Sequence, residues 1–178
     1  MFITKDTKRL ACVLLVLYYL CLFWIVILKC NMYPAVEGTR VILGKMTLQD
    51  RAHYEMSRFV IQDAPDIIVN ILFFIPLGLL LPFFKEKSPH LFGALIGILT
   101  TIAVEITQLI TAIGCFTYID IITNSVGTFI GLMLHFKARR VVSERVTKIA
   151  IISFIAICSV ILIFATNNTI KNLDMYFL

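Results

Sequence analysis

An all-α, polytopic transmembrane helix bundle is the fold class that this sequence predicts, and three observations predict it. Apolar residues make up 60% of the 178 and the mean hydropathy is +0.93, far more apolar surface than a soluble domain carries. Five apolar runs are long enough to cross about 30 Å of hydrocarbon at about 1.5 Å per residue. Of the 16 basic and 11 acidic residues, only Glu105 and Asp120 fall inside those runs, as the cost of charge in hydrocarbon requires. Helices follow, because a lipid-exposed backbone must satisfy its own hydrogen bonds.

The first expected span is 10–28. Lys5, Lys8 and Arg9 precede it like the basic region of a signal peptide, but its 19 residues exceed the apolar core of one and no small-x-small cleavage site follows. Lys29 before Cys30 is likewise wrong for lipoprotein processing. A retained anchor is expected. Residues 29–66 then form the only sizeable loop, too small for a core of its own. Within it, Thr47 and Asp50 read as a helix start, and Leu48, Ala52, Met56, Phe59 and Val60 line one stripe opposite Gln49, Arg51, Glu55 and Arg58. A short amphipathic helix is expected in this outer loop, either a connector packed on its neighbours or a lid over a site. His53 and Glu55 near Asp50 and Asp63 match no compact metal-ligand spacing, so no metal or other cofactor is expected.

The remaining expected spans are 67–84, 91–113, 119–136 and 149–166. Pro65 and Asp66 suit the first turn of the second span, by ring geometry and helix dipole respectively. No internal repeat or second domain interrupts residues 1–178, so a single membrane domain is expected. With the amino terminus inside, the inner segments hold 10 basic residues in 27 and the outer ones 6 in 55. That bias predicts a cytoplasmic-membrane protein with its N-terminus inside and C-terminus outside. Orientation thus accounts for the net charge of +5, and no nucleic-acid partner is expected. Cys12, Cys21 and Cys158 lie inside spans as small apolar residues. Cys30 and Cys115 share the outer side, and whether they pair is left open.

Polar residues at membrane depth form the candidate site. Asp66 and Asn70 share a helix face, as do Glu105 and Gln108. Asp120, Asn124, Gly127 and Gly131 fall within a stripe of roughly 60°. The predicted topology puts all six polar residues toward the outer leaflet, with Glu105 about 12 Å deep. The short connection 114–118 makes spans three and four antiparallel neighbours. One outward-opening polar site is therefore expected, although Asn70, Gln108 and Asn124 also suit plain interhelical hydrogen bonding. Glu105 lacks any basic residue within the spans, so a raised pKa, water or a cationic ligand group is expected to answer its charge.

Gly93-x-x-x-Gly97 and Gly127-x-x-x-Gly131 read as helix-packing faces. Pro76 and Gly78 are expected to kink or loosen the second span and open a cavity beside the polar face. His135, with Lys137, Arg139 and Arg140, is expected to anchor at the inner leaflet.

These residues resemble those of the VanZ family, membrane proteins associated with resistance to teicoplanin and lipoglycopeptides in low-GC Gram-positive bacteria. The matching stretches are Asp66-x-x-x-Asn70-x-x-x-Phe74-Ile75-Pro76-Leu77-Gly78, Glu105-x-x-Gln108 and Asp120-x-x-x-Asn124-x-x-Gly127-x-x-x-Gly131. The first span, with Tyr19, Trp24 and Lys29, is also similar to the family's amino-terminal helix. The likeness covers roughly residues 10–136. Many relatives carry an arginine or an acidic residue shortly before the last aspartate, where this chain has Cys115, Phe116, Thr117 and Tyr118, so no charged interaction carries over to that loop.

The resemblance implies an envelope protein that lowers susceptibility to lipoglycopeptides such as teicoplanin, and a binding rather than a catalytic role is expected. Its expected partners are membrane lipids and a lipidated antibiotic or lipid-linked cell-wall intermediate, with the polar head near Asp66, Asn70, Glu105, Gln108, Asp120 and Asn124. The sequence leaves room for an oligomer. The alternative is a membrane enzyme using the carboxylates as acid and base on a lipid head group. Against it stand the absence of an activated nucleophile, a metal set or a phosphate-gripping Arg or Lys near the site. A transporter with Glu105 as proton relay is a third class, and the lack of repeats counts against it.

Overall fold

The computed structural model describes residues 4–29, 45–50, 53, 64–111 and 117–177, with side chains for 4–24, 45–50, 53, 67–110, 117–160 and 163. Among these residues the order is α1 (Lys5–Lys29), α2 (Ala64–Leu80), a 3-10 helix (Leu81–Phe84), α3 (Pro89–Thr111), α4 (Tyr118–Val141) and α5 (Glu144–Phe177), and no strand occurs. Among the described residues, four helices are long and apolar enough to cross a membrane, over Lys5–Trp24, Ile67–Phe84, Pro89–Ile110 and Tyr118–Val141. The fifth expected crossing, 149–166, lies within α5. Of the expected loop helix, Leu48–Asp50 form a helical turn whose start is capped, the Asp50 N–H donating to Thr47 Oγ1 at 3.2 Å. The rest of that stripe, and both Cys30 and Cys115, lie outside the described residues.

Local chemistry sets the helix ends. Thr4 Oγ1 accepts from the Thr7 N–H at 3.4 Å at the start of α1, and Ser143 Oγ accepts from the Val146 N–H at 3.4 Å at the start of α5. Pro89 opens α3, where a missing N–H costs nothing, after Ser88 turns the chain at φ 50°.

The bundle is sided as lipid demands. On α3, Gly93, Gly97, Thr101, Glu105 and Gln108 face inward, whereas Leu91, Leu95, Leu99, Ile106 and Ile110 face outward. On α4, Asp120, Thr123, Asn124, Gly127, Thr128, Gly131, Leu132 and His135 are buried, and the exposed face carries Ile122, Val126, Phe129 and Met133. Water would reward the reverse; hydrocarbon rewards this arrangement.

Helix α4 packs most extensively on α2 and also against α3, while α1 packs on α5. Small residues make the α2–α4 approach this close. A Cβ at Gly127 or Gly131 would run into the carbonyl oxygen of Ile71 or Ile75, and one at Gly78 into that of Thr128. Gly78 therefore serves contact with α4, in place of the loosening of α2 expected from the sequence. The α2 helix also continues through Pro76. Apolar packing seats α1: Tyr18, Leu22, Phe74, Leu77 and Leu81 form one cluster, and Ala11, Leu14, Leu80, Phe83 and Ile151 belong to another. Tyr18 Oη donates to the Phe73 carbonyl at 3.1 Å, which satisfies a buried phenol.

His135 departs from its expected role as a surface anchor. It is buried, its Nδ1 lies 2.8 Å from the Leu79 carbonyl oxygen, and Phe83 meets its ring edge-on at a centroid distance of 4.9 Å.

Candidate functional site

The site is built where α2 begins, α3 ends and α4 begins. Thr117 stands in extended conformation ahead of α4, and its Oγ1 accepts from the Asp120 N–H at 3.1 Å. This is an N-cap, with Asp120 at the third helical position. In a capping box the side chain at that position folds back onto the N–H of the cap residue. Here the Thr117 N–H donates instead to Glu105 Oε2 on α3, at 3.1 Å. The Asp120 carboxylate faces α2, where the Asn70 side-chain amide donates to it.

Glu105 has a second donor. With the Gln108 amide oriented to satisfy its surroundings, its nitrogen donates to both oxygens of Glu105, at 3.2 and 3.3 Å. One turn deeper, Asn124 Nδ2 donates to Thr101 Oγ1 at 3.0 Å, and Thr128 Oγ1 donates to the Asn124 carbonyl at 3.1 Å. Glu105 is 2% exposed, Asn124 4%, Asp120 6% and Gln108 7%. Asn124 Oδ1 is buried and meets no donor among the described residues.

Five of the six residues singled out from sequence are thus brought together between α2, α3 and α4. Asp66 lies in the first turn of α2, one turn before Asn70 and on the same face; its side chain is outside the described residues. Main-chain and amide N–H groups reach Glu105, at the start of α4 where the helix dipole favours an anion. Sequence reasoning missed Thr101, Thr117 and Thr128. Thr117 carried a readable signal, since Thr-x-x-Asp ahead of an apolar run is a helix-start pattern. No group of three or more His, Cys, Asp or Glu residues placed to hold a metal occurs among the described residues.

The arrangement does two things. It ties three helices together through polar atoms in a setting where few other partners exist, and it concentrates carboxylate and amide oxygen at one end of the bundle.

Apolar-faced helices closing over a shared polar interior define a multi-pass helical membrane protein. The VanZ/LLP1 family model matches residues 15–139, a stretch containing the whole cluster and every glycine contact above. Protein VanZ of Enterococcus faecium is 31% identical over 122 residues, 68% of this chain and 71% of that protein. The chain belongs to the VanZ family. No solved structure matches it.

Proposed function

We propose that this protein resides in the cytoplasmic membrane of a Gram-positive bacterium and lowers susceptibility to teicoplanin and related lipoglycopeptides. In this reading the chain crosses five times, α5 included, with its N-terminus inside. The polar cluster then faces the outer leaflet, where a lipidated antibiotic or a lipid-linked cell-wall intermediate would enter. The acyl part of the ligand lies among the apolar helix faces and its polar head near Asp66, Asn70, Glu105, Gln108, Asp120 and Asn124.

The observation that carries the reading is that the stretch shared with the VanZ family encloses the polar cluster. The hydrogen bonding favours binding over catalysis. Both carboxylates accept from main-chain or amide groups, which orders them as acceptors, and no nucleophile stands beside them among those contacts.

The test compares teicoplanin susceptibility in cells expressing wild type, Glu105→Gln and Asp120→Asn. Loss of protection in either, at equal protein level in the membrane, is the expected result. Undiminished protection in both removes the cluster from the mechanism.

A further inference from the structure

The opposite end of the bundle holds a second feature that the polar cluster does not explain. An apolar cavity of about 380 Å³ lies between the start of α1, the end of α2, the end of α4 and the start of α5; Leu14, Leu79, Phe83, His135, Ile151 and Phe154 are among its walls. Its volume falls within the range of small-molecule sites. Its walls are mostly the apolar side chains that an acyl chain packs against. His135 is a buried polar member of its wall: it is 6% exposed, and its Nε2 meets no partner among the described residues.

A second depression, about 610 Å³, adjoins the cavity, sharing Arg139 and Val142 with it and adding Arg140 and Ser143. Apolar space therefore passes directly into a basic rim. Arg139 and Arg140 are exposed there, and Lys137 and Arg145 stand nearby in the chain, also exposed. Glu144 is the acidic member of the rim; Thr4, Thr7 and Lys148 engage its carboxylate.

We propose that this end of the bundle binds one anionic phospholipid, an acyl chain filling the cavity and the phosphate resting on Arg139 and Arg140. A guanidinium pair matches phosphate oxygens by both charge and fork geometry. A zwitterionic lipid offers the same chain and phosphate, but its choline cation cancels the net negative charge that a basic rim selects.

The experiment uses the full chain purified in mild detergent with equimolar phosphatidylglycerol and phosphatidylcholine, read by native mass spectrometry. One retained phosphatidylglycerol per chain is expected. Arg139→Gln should cut the preference for it roughly fivefold, the effect of one basic side chain near an anionic head group. Ala150→Phe, which places a ring in the cavity, should abolish retention of either lipid. Because Ala150→Phe can also disturb folding, a second readout uses Phe154→Trp in a Trp24→Phe background. Acyl-brominated phosphatidylglycerol should quench that tryptophan more than brominated phosphatidylcholine at the same mole fraction. Equal retention of the two lipids, retention unchanged by Ala150→Phe, or equal quenching overturns the proposal.

Discussion

The main-chain N–H of Thr117 points at the Glu105 carboxylate, 3.1 Å away, so a side chain on α3 completes the cap of α4. A capping box normally closes within one helix. Splitting it between two helices releases the Asp120 carboxylate to take the Asn70 amide, and one helix start thereby joins α2, α3 and α4. Glu105→Ala removes the acceptor and should cost about 1–3 kcal/mol, the penalty for stripping a buried donor. Glu105→Gln keeps an acceptor oxygen but loses the charge facing the helix dipole, about 0.3–1 kcal/mol. Thr117→Ala should cost about 1 kcal/mol through the lost side-chain cap. Denaturant titration of reconstituted protein ranks the three, and Glu105→Ala no worse than Glu105→Gln would contradict the shared cap.

Asn70 and Asp120 offer a cleaner energy. Their single and double alanine variants make a thermodynamic cycle whose coupling isolates the pair. Interhelical hydrogen bonds in lipid average about 0.6 kcal/mol and reach about 1.7. A carboxylate acceptor strengthens the bond, so a coupling of about 1–2 kcal/mol is expected. Additivity within about 0.3 kcal/mol would show that the two side chains do not interact in the membrane.

The glycines separate two kinds of contact. At Gly131 a methyl group would meet the Ile75 carbonyl and the backbone of Gly78 and Leu79, which cannot move without shifting α2. At Gly93 it would meet the end of the Leu132 side chain, which can turn aside. Gly131→Ala should therefore destabilise by about 1–3 kcal/mol. Gly93→Ala should stay under about 1 kcal/mol, helped by the better helix propensity of alanine. Thermal unfolding of the two variants in the same lipid checks the order, and equal losses would put the α2–α4 contact elsewhere.

What was legible in the sequence follows from what pattern encodes. Length and hydropathy mark the apolar runs, and a helical period of 3.6 places Gly93, Gly97, Glu105 and Gln108 on one side of α3. Partners across helices are a different matter. Nothing in the residues around Glu105 names the Thr117 N–H as its donor, because a main-chain group has no side-chain signature. Gly78 beside Pro76 reads as a weak point in a helix, and only the neighbouring backbone of α4 reveals it as a contact. His135 sits in a basic stretch that reads as surface, yet it falls on the buried stripe four residues after Gly131. Helical period and local charge point in opposite directions at this residue, and its burial follows the period.

The last prediction concerns pH at the start of α5. Hydrogen bonds from Thr4 and Thr7, with Lys148 at 3.4 Å, hold the Glu144 carboxyl down to about 2 from its ordinary value of 4.5. A carboxylate whose pKa is depressed by folding stabilises the fold above its ordinary pKa and loses that contribution as pH falls through the folded value. The α1–α5 contact should therefore stay intact at pH 4.5 and weaken only as pH drops from there toward about 2. Infrared titration of the reconstituted protein, with the Glu144→Gln spectrum subtracted, isolates the protonated carboxyl band of this residue. Its midpoint should lie well below 4.5 and move upward in Thr7→Ala. A wild-type midpoint at 4.5 would mean that Thr4 and Thr7 do not engage Glu144.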